Sequence, residues 1–383
     1  MKQYILSNPM ARQHNRNSKS EKDASSALCP EQDQGRKAGV IYLGVDVHLR
    51  QQVVCRKVDG ATPQPAQRFG PEQLKDWVGK QQTLAHKVVC CYEAGPFGYG
   101  LQRHLESIGV ECLVVRPQNW DTHGQRVKTD GRDARALVES LARYKEGNSK
   151  ALALVKVPDE PSEQRRALTR HRASLVDEKR RMSQKARGRL LTQGVELEFE
   201  WWHPKAWKAW QANLPQWQLA MLESEREVLL ALEKGIEKSD KLIAVLARPA
   251  SQRPKWLGEL SEQVISNEII DWNRFNNRRQ VSSYTGLCPS EFSSGGARRQ
   301  GSITKHGNGR LRSALVEAAW RLSRHQPGWK RLEKLKLRML HVSGKRPGSK
   351  KKMIVELARG LAVDLWRLYT GRATMADLGF EPA

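Results

Sequence analysis

The segment VIYLGVDVH, Val40 to His48, most constrains the fold. Its β-branched and apolar residues read as a strand buried on both faces, and such a strand needs layers above and below it. QQVVCRKV, Gln51 to Val58, follows after a very short turn, so the two segments form a hairpin. KVVCCYEAG, Lys87 to Gly95, and VECLVVRP, Val110 to Pro117, read as further strands. Helical patterns over Pro71–Gln82 and Tyr99–Ile108 separate them. Strands alternating with helices require a largely parallel central sheet with helices packed on it, and the initial hairpin makes that sheet mixed.

KTDGRDARAL, Lys128 to Leu137, opens the next helix. Ala134, Leu137, Val138 and Leu141 form its apolar face. Asp130 and Asp133 stand at i and i+3, and four residues on from them are Ala134 and Leu137. The two carboxylates therefore prolong the apolar stripe rather than the solvent face. One reading makes Asp130 an N-cap, with Asp133 stabilised by the helix dipole. The other makes both of them ligands. Asp46, inside its strand, and Glu93, at the end of another, favour the second. A buried carboxylate is costly unless a positive group balances it, and neither strand carries an obvious lysine or arginine partner. A divalent metal resolves this. Asp46, Glu93, Asp130 and Asp133 supply hard oxygen ligands suited to Mg²⁺ or Mn²⁺. Two such ions can activate an attacking oxygen and stabilise a leaving oxygen in phosphodiester chemistry. Capping and ligation are compatible roles for the helix-borne pair. His48, on the same strand face as Asp46, is either packed or in contact with substrate. Strands first, then helix–strand alternation, suit an RNase H-like α/β domain. A dinucleotide-binding domain is disfavoured because the first turn lacks GxGxxG.

The chain of 383 residues carries a net charge of +25, which calls for a polyanionic partner, nucleic acid before anionic membrane. No apolar run is as long as a membrane span, and no secretory segment is evident. Six cysteines show no CxxC pair and no zinc spacing, which fits a reducing cytoplasm. Residues 1–38 are polar and read as a mobile arm, followed by the α/β domain over 39–150. Residues 151–254 read as a helical, coiled-coil region. Its long basic helix, Pro161 to Leu191, places Leu168, Leu175 and Met182 seven apart, and a second helix covers Ser224 to Leu246. Between them, five tryptophans (Trp201, Trp202, Trp207, Trp210, Trp217) interleave with Lys205 and Lys208. They read as packing where the helices meet, with stacking on bases as the rival reading. Residues 255–383 read as mostly α-helical around a glycine-rich basic loop. Arg165, Arg166, Arg170 and Arg172 on the basic helix are candidate nucleic-acid contacts. So are Arg298, Arg299, Lys305, Arg310 and Arg312 in and after the loop, and Lys350, Lys351 and Lys352 near the C-terminus.

GVDVH, YEAG, KTDGRDA and the block WNRFNNRRQVSSYTGLCPSEFSSGGARRQGSITKHGNGRLRSALVEAAWR resemble the DEDD transposases of the insertion sequence 110 family. The similarity runs from about residue 40 to about residue 370, and the C-terminal block is its most specific part. The resemblance implies a RuvC-like RNase H domain, a coiled-coil-forming region and a C-terminal transposase domain. By motif it places Mg²⁺ on Asp46, Glu93, Asp130 and Asp133. It also implies a serine nucleophile that forms a covalent phosphoserine link to DNA, matching Ser294, with Ser293 as second choice. Gly295 and Gly296 would allow a DNA backbone to approach. It further implies a noncoding bridge RNA that pairs with donor and target DNA. The functional unit would be a homo-oligomer, a dimer or tetramer, whose sites combine domains from different subunits, acting in the bacterial cytoplasm on the nucleoid. The segment Gly258 to Ile270 departs from the family in lacking a glycine-rich helix-hairpin-helix pattern. Two rivals remain: a structure-specific nuclease that uses the same carboxylates with water, and a non-catalytic nucleic-acid-binding protein.

Overall fold

The structure, a computed structural model, describes residues 37–118, 129–246, 249, 252–292, 299–341 and 350–383. The chain forms two compact units, the first ending at Val157 and the second beginning at Pro158.

The first unit holds β1 (Ala38–Val47), β2 (Gln52–Val58), β3 (Gln67–Phe69), α1 (Pro71–Leu84), β4 (Ala85–Glu93), α2 (Gly100–Ser107), β5 (Glu111–Val115) and α3 (Asp130–Lys145). The five strands form one sheet in the order β3-β2-β1-β4-β5. β2 runs antiparallel to β1 and β3, whereas β1, β4 and β5 are parallel. This is the mixed RNase H-like sheet expected from the initial hairpin. β3 was not foreseen, because the three residues QRF carry no strand pattern and lie mostly exposed.

Strand alternation divides the core. Ile41, Leu43 and Val45 face one side, where Leu74 and Val78 of α1 and Leu105 of α2 cover them. Tyr42 and Cys91 face the other side, against Ala134, Leu137, Val138 and Leu141 of α3. Burying Leu137 and Leu141 contributes about 1.5–3 kcal/mol each. Gly44 determines how close α3 comes. A Cβ at this position would lie 2.3 Å from the Ala134 carbonyl oxygen and 2.5 Å from the Val138 amide nitrogen. The helix backbone thus rests directly on β1, two residues before Asp46.

The second unit begins with α4 (Glu160–Leu191), capped by Asp159, whose Oδ1 accepts from the Ser162 amide at 2.7 Å. After α5 (Pro204–Asn213), α6 (Gln216–Val245) returns along α4. It starts at Gln216 rather than Ser224, because Pro215 sets the entry and Leu219 and Leu222 extend the apolar stripe. The heptad residue Leu175 lies 3.3 Å from where a Cβ on Gly235 of α6 would stand. Trp201, Trp202 and Trp207 are buried with Leu190, Leu197 and Leu222, so the packing reading holds for these three, whereas Trp217 is exposed.

The remainder comprises α7 (Glu259–Ile269), α8 (Arg278–Thr285), β6 (Pro289–Glu291), β7 (Gln300–Ile303), α9 (Gly309–His325), α10 (Lys330–His341), α11 (Lys350–Tyr369) and α12 (Met375–Leu378). α7, α8, α9, α10 and α11 share one hydrophobic core around Trp272, Leu315, Trp329 and Leu361. The loop expected to be irregular is flanked by the antiparallel pair β6–β7.

One buried carboxylate ties this unit together. Glu268 of α7 accepts from Arg170 Nε and Nη2 of α4 at 2.8 and 2.7 Å, and from Asn308 Nδ2, before α9, at 2.6 Å. Burial pushes the Glu268 carboxyl up, but the hydrogen bonds from Arg170 and Asn308 and the arginine charges outweigh it, leaving it below its ordinary value.

Gly44→Ala is expected to cost about 1–3 kcal/mol in urea unfolding, because the new methyl must displace α3. The control Gly79→Ala on α1, where a Cβ meets nothing within 4 Å, should be neutral or gain up to about 1 kcal/mol. A carboxyl whose folded pKa is depressed adds stability that is fully present above its unfolded pKa and is lost as pH falls through the folded value. Arg170→Ala should therefore cost on the order of 2 kcal/mol at neutral pH and flatten the loss of stability in acid below about pH 4.5. Urea titrations at several pH values check this, and an unchanged acid limb would refute it.

Candidate metal centre

Asp46 is the penultimate residue of β1, and strand alternation turns its side chain to the face that carries Tyr42. On β4, Tyr92 pairs with Val45, and Glu93 follows on the face that carries Cys91. Both carboxylates therefore leave neighbouring parallel strands toward α3, at the carboxyl end of the sheet. Thr129 stands extended at the N-cap position of α3, so Asp130 and Asp133 occupy its first turn. There the helix dipole favours negative charge.

Asp46, His48 and Asp130 converge, each offering a ligand atom within 4.8 Å of the others. His48 Nε2 lies 3.1 Å from Asp46 Oδ2 and 3.8 Å from Asp130 Oδ1. Among the described residues this is the group with metal-ligand spacing, and Glu93 and Asp133 are not part of it. Glu93 Oε1 accepts from the Gln118 amide at 3.3 Å. Asp133 is near enough for its charge to act on Asp46. Burial pushes the Asp46 carboxyl above its ordinary value. His48 opposes that shift by charge and hydrogen bond, while Asp130 and Asp133 add to it. Carboxylates that destabilise one another's charged form are relieved by a divalent cation, and two carboxylate oxygens beside an imidazole nitrogen suit one.

Ser293, Ser294 and Arg298 lie outside the described residues. Arg299 follows them and is exposed before β7; Lys305 and Arg310, after β7, are exposed as well. Arg312 Nη1 donates to the backbone oxygens of Thr285 and Lys305 at 3.4 Å each, so it braces the turn after α8. On α4, Arg165 donates to Ser162 Oγ at 2.8 Å and Arg172 pairs with Asp240 of α6. Arg170 is held by Glu268 as described, so phosphate contact by Arg170 or Arg172 competes with an internal pair. Lys350, Lys351 and Lys352 are exposed in the first turn of α11.

A family model of IS110-type DEDD transposases matches residues 43–194, which contain all four acidic residues. A second, described as the transposase IS116/IS110/IS902 family, matches residues 257–333. A putative transposase y4rJ of Sinorhizobium fredii is 31% identical over 300 residues, covering 72% of this chain and 75% of that protein. The chain belongs to the IS110 family of DEDD transposases. A second putative transposase of S. fredii, y4qE, is 33% identical over 241 residues, 61% of this chain and 58% of the relative. The transposase for insertion sequence element IS1533 of Leptospira borgpetersenii is 26% identical, over 73% of this chain and 84% of its own length. Among the described residues of this IS110-family transposase, no helix is long and apolar enough to cross a membrane. The sequence singled out Asp46 and Asp130 but left His48 between two roles. Its place two residues past Asp46, just beyond the end of β1, was the signal for it.

A cation that binds only the folded chain stabilises it by about 2.7 kcal/mol at a hundredfold excess over Kd. Mg²⁺ or Mn²⁺ is expected to raise the melting temperature of the wild type in scanning calorimetry. Asp46→Asn and Asp130→Asn should melt at the same temperature with or without the ion. An equal rise in all three proteins would remove the metal centre from these residues.

Proposed function

We propose that this transposase is a Mg²⁺- or Mn²⁺-dependent DNA recombinase that cuts and rejoins its own insertion element and a target site. The observation that carries this is the convergence of Asp46 and Asp130, from a strand end and a helix start, on one point beside His48. Asp46 and Asp130 would hold the metal, with Glu93 of β4 and Asp133 of the first turn of α3 completing the acidic set. The cation, when bound, lowers the barrier to attack on phosphorus and stabilises charge on the leaving oxygen. His48 fixes the orientation of the Asp46 carboxylate through its hydrogen bond.

Ser294, or Ser293 beside it, is the nucleophile. Its oxygen bonds to phosphorus as one strand ester bond breaks, and the serine proton passes, by way of solvent, to the departing strand oxygen, which leaves as an alcohol. Attack by a strand hydroxyl on the phosphoserine reverses the exchange, so the number of ester bonds is conserved and no energy source is needed. Residues 39–150 supply the metal centre, 151–254 the helical region and 255–383 the serine loop. The net charge of +25 supports contact with both DNA and a guiding bridge RNA. The working form is a homo-oligomer acting on the nucleoid in the cytoplasm.

Labelled element-end DNA incubated with protein, Mg²⁺ and guide RNA, then run on a denaturing gel, checks the reading. Wild type should give a protein–DNA adduct. Asp46→Ala should lose cleavage by at least about 10²-fold while still binding RNA. Ser294→Ala should lose the adduct. Cleaved ends without an adduct in wild type would favour the nuclease that uses water, and normal cleavage by Asp46→Ala would end the metal assignment.

A further inference from the structure

The second unit contains a cavity of about 520 Å³ bordered by α8, α10, α11 and the turn after α11. Five arginines line it: Arg278, Arg331, Arg359, Arg367 and Arg372. Arg359 and Arg367 are eight residues apart on α11 and share its face with Trp366. Arg278 opens α8, and Arg372 lies beyond the end of α11.

The charges of this cavity do not cancel internally. Arg331 is neutralised by the buried Asp364, with Nε to Oδ2 at 2.9 Å and Nη2 to Oδ1 at 2.6 Å. Gly360 permits that pair, since a Cβ there would fall 2.0 Å from Arg331 Cδ. Glu356, the lining carboxylate, is paired with Arg338. Asp377, whose carboxyl feels Arg367, is engaged in capping α12 through the Thr374 amide and hydroxyl at 2.9 and 2.8 Å. Among the described residues, Arg278, Arg359, Arg367 and Arg372 have no carboxylate in salt-bridge contact. The Arg372 guanidinium lies 4.5 Å over the Trp366 ring, an arrangement that holds its plane while leaving its N–H donors available. Four unneutralised like charges around one concavity repel each other and are relieved by an anion. Guanidinium forks match phosphate oxygens in pairs. The volume is that of a small-ligand pocket, enough for a nucleotide and too small for a duplex.

We propose that this cavity binds a phosphate, with its nucleotide, from a single-stranded nucleic-acid segment, RNA or DNA. Arg278, Arg359, Arg367 and Arg372 grip the phosphate, and Val363 and Trp366 form the apolar wall. The proposal rests on the chain handling nucleic acid and is independent of the metal centre and of the serine.

The test is fluorescence anisotropy of the full chain with a single-stranded probe of about 16 nucleotides, as RNA and as DNA of one sequence, in EDTA. Each lost phosphate contact lowers the slope of log affinity against log salt by about 0.7. The doubles Arg278→Gln/Arg372→Gln and Arg359→Gln/Arg367→Gln should each lower that slope by about 0.7, the share of the one phosphate they grip. Arg321→Gln, paired with Glu317 at 3.0 Å outside the cavity, should leave it unchanged. The probe that loses more identifies the strand that occupies the cavity. Circular dichroism melts confirm folding; if a double fails to fold, the exposed single variants Arg278→Gln and Arg372→Gln replace it, each lowering the slope by a part of that ~0.7. Wild-type slopes in both doubles with both probes would overturn the proposal. So would variants that bind both probes normally yet lose stabilisation by inorganic phosphate, which marks a small-anion site. The assay runs in EDTA, without the divalent ion, so failure of the metal centre and failure of this site are separate results.

Discussion

The first unit depends on one backbone-to-backbone approach. At Gly44 the Ala134 carbonyl and Val138 amide of α3 occupy the space that any side chain would need. This contact sets the height of α3 above β1, and so the distance from the first turn of the helix to the end of the strand. Asp46 stands two residues beyond Gly44, and Asp130 four residues before Ala134. The reach of a carboxylate is short, so both must start from backbones held at a defined spacing to share one ion. A glycine in mid-strand sacrifices β propensity and packing area. Here that loss allows the acidic residues to meet.

The second unit deals with its positive charge in two ways. Some arginines are absorbed internally: Arg170 by Glu268, Arg172 by Asp240, Arg331 by Asp364. Those pairs join segments far apart in sequence, and two of the carboxylates, Glu268 and Asp364, are buried. Removing one partner is then more costly than the pair is worth in isolation. Other arginines are left unneutralised around a cavity. A basic chain that serves only solubility would spread its charge over the surface. This chain divides it between structural ties and a concentrated, concave set.

The strands were legible because β-branched runs in VIYLGVDV and VVCCY have one physical explanation, burial in a sheet. β3 was not, since QRF is held as a strand only by pairing with Gln52, Val53 and Val54. Asp46 and Asp130 were legible as charges in apolar settings, and the structure brings them together with His48. Of the acidic set, Glu93 and Asp133 lie outside the converging group. The serine had no physical signature, because serine and glycine dominate loops of every kind; only family resemblance marked it. The arginine cavity was illegible for another reason. Arg278 of α8 is separated by most of the C-terminal region from Arg359, Arg367 and Arg372 of α11 and the turn after it, and only tertiary packing brings them to one cavity.

Glu268 also bears on modularity. Its three donors come from α4, and from the turn that caps α9, so the helical hairpin and the C-terminal helices share a single buried charge. A fragment cut between α6 and α7 would leave that carboxylate sealed without its guanidinium. The long helices are thus part of the thermodynamic unit that contains the C-terminal core, and recombination between relatives that exchanges one without the other must bring a matching counter-charge.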